Sequence, residues 1–93
     1  MVTHAEIEAV EEVLIESYRA IRSGQSYSVE LATVAATTAA RLANTERREN
    51  GHLLPENRDH WGTLGCNAAC VATVATDPEL RKAAKAAAKA AGR

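Results

Sequence analysis

Cys66 and Cys70, with His60 six residues earlier, are the side chains that most invite chemistry. Thiols four residues apart share one face of a helix, and thiolate and imidazole are preferred zinc ligands. They lie in a polar stretch, Glu46 to Cys70, that also holds Glu49, His52, Glu56 and Asp59. A structural zinc site wants four ligands converging tetrahedrally, usually from Cys pairs set two residues apart. That spacing is absent, and Cys is also an ordinary small core residue. Glu49-x-x-His52 has the spacing of half a carboxylate-bridged di-iron site. Such a site needs a second copy of the motif and carboxylates from two further helices. The chain has no second copy, so the expectation is no metal and no cofactor. With a cytoplasmic location expected, the cysteines are read as reduced packing residues rather than a disulfide.

For nucleophilic catalysis, Cys66 and His60 are a nominal thiol–base pair. Nothing in the sequence orients the imidazole. There is also no Gly-x-Ser-x-Gly elbow and no phosphate-cradling Gly loop. The expectation is a protein that is not an enzyme.

Binding chemistry is better represented. Arg81, Lys85 and Lys89 recur every four residues with Lys82 beside them, which makes one basic stripe. Phosphate contacts need only such charges. The net charge is −1, whereas domains that hold nucleic acid non-specifically are usually clearly basic. Nucleic-acid association through Arg81, Lys82, Lys85 and Lys89 is therefore the alternative reading. Glu8, Glu12 and Glu16 form an acidic stripe of the same spacing near the other end of the chain. The two stripes can pair within one chain, pair between chains, or stay solvated.

Helices must position all of these groups. One residue in five is alanine, the strongest helix former, and the aromatics are only Tyr18, Tyr27 and Trp61. Thr3-x-x-Glu6 has the form of a capping box, and Ile7, Val10, Leu14, Tyr18 and Ile21 follow at helical spacing up to Ser23-Gly24. A second helix is expected from Ser26 or Ser28 to Asn50-Gly51, with Leu31, Val34, Ala35, Thr38, Leu42 and Thr45 facing inward. A third follows Pro55, with Trp61, Leu64, Ala68, Val71 and Ala75 as its stripe and Gly62 and Gly65 beside it. The glycines leave a later start, after Gly62 or Gly65, as an alternative. Asp77-Pro78-Glu79 opens a fourth helix of Ala and Lys whose end, Ala90 to Arg93, is expected to fray.

The expected fold is all-α: a small antiparallel bundle of three long helices, residues 1–76, with a basic C-terminal helix, residues 77–93, on its outside. No run approaches the ~18 apolar residues of a membrane span. The first twenty residues are acidic and amphipathic, so a cytoplasmic protein without a signal peptide is expected. Many Ala and an excess of Arg over Lys fit a GC-rich bacterial or phage coding sequence. An alanine-rich chain of this size has few large core residues, which points to copies of itself or to another protein as partner. Ile15, an apolar residue among Glu8, Glu11 and Arg19, and the aromatics Tyr18, Tyr27 and Trp61 are the expected contacts where they prove exposed; each aromatic should anchor either the core or an interface, with the core favoured for Trp61. The functional expectation is a small helical protein–protein interaction module, oligomeric, that modulates a partner by binding.

Overall fold

A computed structural model describes residues 1–92. Four α-helices are present and no strand among these residues: α1 His4–Ser23, α2 Val29–Asn50, α3 Arg58–Val74 and α4 Pro78–Gly92. A single 3-10 turn, Pro55–Asn57, leads into α3.

The helix ends follow their local chemistry. At the start of α1 the Glu6 amide donates to the Thr3 hydroxyl at 3.2 Å, and the Thr3 amide donates to the Glu6 carboxylate at 2.8 Å. Two of the orphan donors of the first turn are thereby satisfied. Gly24 at φ 69° and Gly51 at φ 83° close α1 and α2 in the left-handed conformation that other residues adopt only with strain. The Ser28 hydroxyl accepts from the Leu31 amide, and the Asp77 carboxylate from the Leu80 amide. Arg81 then reaches back from α4 and donates twice to the Ala75 carbonyl, at 3.1 and 2.7 Å. This closes the end of α3 and fixes the corner between α3 and α4.

The four helices form a closed bundle. α1 packs on α2 and α3, and α4 packs on α2 and α3, whereas α2 and α3 hardly touch and lie on a diagonal. The N-terminal amine lies 3.7 Å from Glu49 near the end of α2, so α1 and α2 run antiparallel. Gly65, early in α3, lies beside Ala88, Ala91 and Gly92 late in α4, so this pair is antiparallel too. The 51–57 connection therefore crosses the bundle end from one corner to the opposite one.

The fourth helix differs from its expected place outside the bundle. Leu80, Ala84, Ala87 and Ala91 are buried, at the spacing of one helix face, and fill the fourth corner. The Ala and Lys repeat disguises this stripe, because alanine serves equally on a buried and an exposed face. α4 thus shares one core with the three helices before it. It continues to Gly92; of the tail expected to fray, Arg93 lies outside the described residues.

The second helix differs as well. Its buried residues are Ala32, Ala35, Ala36, Ala39, Ala43 and Glu46. Leu31 and Val34, expected inside, are 55% and 61% exposed. Between these limits Thr38, Leu42 and Thr45 are half-buried. The alanine face wins because α2 is flanked by α1 and α4, and small side chains let both approach closely. The large core residues come from the other helices: Ile7, Leu14, Trp61, Leu64, Val71 and Leu80.

α3 begins at Arg58 and runs through both glycines. A Cβ on Gly65 would meet Ala91 and the Gly92 backbone at 3.5 Å, so this position marks a close approach of α3 and α4. A Cβ on Gly62 would meet nothing within 4 Å, so packing around Trp61 does not require glycine there.

Candidate interaction surface

The polar stretch that suggested metal chemistry is dispersed by the fold. Cys66 is exposed and Cys70 half-buried, and both are free thiols. Glu49 pairs with the N-terminal amine, and the His52 ring Nδ1 lies 2.9 Å from the Leu53 carbonyl. Among the described residues no three His, Cys, Asp or Glu side chains are grouped to hold a metal ion. No helix is long and apolar enough to cross a membrane.

Glu46 takes a structural place that sequence spacing did not reveal. It is 1% exposed, and its carboxylate accepts from the Leu54 amide at 2.8 Å, the Asn57 side-chain amide at 2.6 Å and the Trp61 indole N–H at 2.7 Å. Three donors from the crossing connection and the start of α3 thus converge on one acid of α2. A buried carboxylate persists only when its acceptor sites are filled in this way. The signal was present: Glu46 follows Ala43 by three residues on the alanine stripe, and a buried tryptophan needs an acceptor for its N–H.

His60 joins a polar patch between α1 and α3. Its ring lies 4.3 Å from that of His4, centroid to centroid, and its Nδ1 lies 3.9 Å from the Glu8 carboxylate. The Glu11 Oε2 is buried without a hydrogen-bond partner, and burial holds its carboxyl above the usual range. The neighbouring Glu8 adds to this, while His60 opposes it.

The four expected contact residues divide. Trp61 is buried and bonded to Glu46, so it anchors the core. Ile15, Tyr18 and Tyr27 are half-buried. Tyr18 and Tyr27 pack against the core, and the Tyr18 hydroxyl accepts from Arg22, whose guanidinium lies 5.8 Å from the ring centre. The large apolar side chains left in water are Met1, Leu31 and Val34. Leu31 and Val34 stand one turn apart on α2, with exposed Glu30, Thr37 and Arg41 around them.

Two charged faces remain. Glu8, Glu12 and Glu16 are exposed on α1, and Lys82, Lys85 and Lys89 on α4. These helices occupy opposite corners of the bundle, so the stripes cannot neutralise each other within one chain. Arg81 is exposed but already engaged with the Ala75 carbonyl. A half-open groove of about 500 Å³ lies where the end of α4 meets α3, between Leu53, Leu54 and Arg58 and the small side of α3 at Gly62, Gly65 and Cys66.

Comparison with known proteins finds no family, no curated protein and no solved structure that matches this chain.

Proposed function

We propose that the protein is a small helical interaction module that acts by docking the outer face of α2, centred on Leu31 and Val34, onto a protein surface. The observation that carries this reading is the inversion of α2. The helix buries alanines and, of its four large aliphatic side chains, leaves Leu31 and Val34 more than half exposed while Val29 and Leu42 are half-buried against the core. Burying a Leu or Val fully is worth about 1.5–3 kcal/mol relative to leaving it exposed, so the two side chains on one turn hold burial energy that folding leaves unused and a partner would gain.

The test is affinity capture from the cell of origin with the wild type and with a Leu31→Glu/Val34→Glu variant. A partner retained by the wild type and lost by the variant is the expected outcome. An identical set of retained proteins overturns the assignment of this face.

A second reading rests on a separate observation. Lys82, Lys85 and Lys89 are exposed on α4 and form no ion pair among the described residues. Such a row can contact phosphates without reading sequence. Retention on a DNA column at low salt, lost on Lys82→Ala/Lys85→Ala/Lys89→Ala substitution, would establish it. Flow-through of the wild type at low salt would remove it.

A further inference from the structure

We infer that the occupant of the α2 face is a second copy of this chain, seated antiparallel across a two-fold axis near Val34 and Thr37. The inference rests on the interaction-module reading and specifies its partner. Its basis is the self-complementarity of the exposed residues. Glu30 and Arg41 are both exposed on the outer side of α2, and neither is in an ion pair among the described residues. They are three helical turns apart, about 16 Å along the axis, with Val34 and Thr37 between them.

An antiparallel copy places Glu30 of one chain opposite Arg41 of the other, and by symmetry does so twice. A parallel copy would instead set each charge against its like. In the antiparallel register Val34 of each chain meets the Thr37 and Thr38 side of the other, where short side chains permit close approach. Leu31 of each chain covers the half-buried Leu42 side of its counterpart. An isologous contact of this kind closes at two copies and leaves no further α2 face open. The apolar patch is small, so the dimer is weak.

The experiment is sedimentation equilibrium over a concentration series with four samples: wild type, Glu30→Arg, Arg41→Glu, and an equimolar mixture of the two variants. The wild type moves from its monomer mass of 9.9 kDa towards twice that value as concentration rises. Each variant alone carries four like charges across the seam and associates at least tenfold more weakly. The mixture regains wild-type association. In the mixed dimer both charges of the Glu30→Arg chain are positive and both of the Arg41→Glu chain are negative, so each seam contact again joins opposite charges. Circular dichroism of each variant checks that both remain folded. A wild type that stays monomeric to millimolar concentration overturns the dimer while leaving the capture experiment to decide the broader reading. Association that is unaltered in both variants, or not regained in the mixture, overturns the antiparallel register.

Discussion

The indole N–H of Trp61 donates to the carboxylate of Glu46 at 2.7 Å, joining two helices that otherwise hardly meet. With the Leu54 amide and the Asn57 side chain on the same carboxylate, this bond fixes the crossing from α2 to α3. The largest side chain of a thin core is thereby held in one orientation.

Glu46→Ala leaves two buried side-chain donors and one backbone donor without an acceptor. Its expected cost is at least about 1–3 kcal/mol, the range for leaving a buried donor without its partner. Trp61→Phe removes one donor and keeps most of the ring, and should cost about 1–3 kcal/mol. Urea denaturation of both single variants and the double variant closes a thermodynamic cycle. A coupling near zero would mean that the bond contributes nothing beyond the two side chains separately.

Gly62→Ala should stabilise the protein by up to about 1 kcal/mol. The position is helical and exposed, and the added methyl meets nothing within 4 Å, so only the helix-propensity difference remains. Thermal melting of this variant checks it, and a lowered midpoint would show that the fold itself requires glycine at this position.

Ala39→Leu should destabilise by about 1–3 kcal/mol, since Ala39 is fully buried on the face against which α1 and α4 pack. Val34→Glu, one face away, should stay within about 0.5 kcal/mol of wild type in dilute solution. Chemical denaturation of the two variants side by side tests the inversion of α2. If Val34 were the core residue and Ala39 the surface one, the two results would exchange.

Glu11 sets an expected pH dependence. Burial raises its carboxyl above the value in the unfolded chain, so the folded state binds this proton more tightly. Stability from this group is therefore present at low pH and lost as pH rises through the folded-state value. Glu11→Gln should remove that loss and stabilise the protein at pH 7, with the advantage shrinking as pH falls into the carboxylate range. Melting temperatures of both proteins across the acid-to-neutral range measure it, and an advantage that grows towards low pH would contradict this origin.

Helix boundaries were legible because caps are local chemistry: Thr3 with Glu6, Gly24, Ser28, Gly51 and Asp77-Pro78 all act where the sequence places them. The bundle class followed from the same signals. Which face of α2 turns inward was not legible, because a hydrophobic stripe and a small-residue stripe run side by side. Hydrophobicity favours Leu31 and Val34, while close packing between two neighbours favours Ala32, Ala35, Ala39 and Ala43. Only the positions of α1 and α4 decide between them. The tail was misplaced for the related reason that an Ala and Lys repeat shows little contrast between faces. Trp61 was marked as an anchor of either core or interface, but its partner lies fifteen residues away across a connection whose path local patterns do not encode.

The most direct test of the α2 face as the interaction surface is a dilution series of two-dimensional amide NMR spectra. Concentration-dependent shifts confined to the neighbourhood of Glu30, Leu31, Val34, Thr37 and Arg41, and abolished by Val34→Glu, are the expected result. Shifts centred on α4 or on the α3–α4 groove, or none on α2 at concentrations where the mass increases, would contradict it.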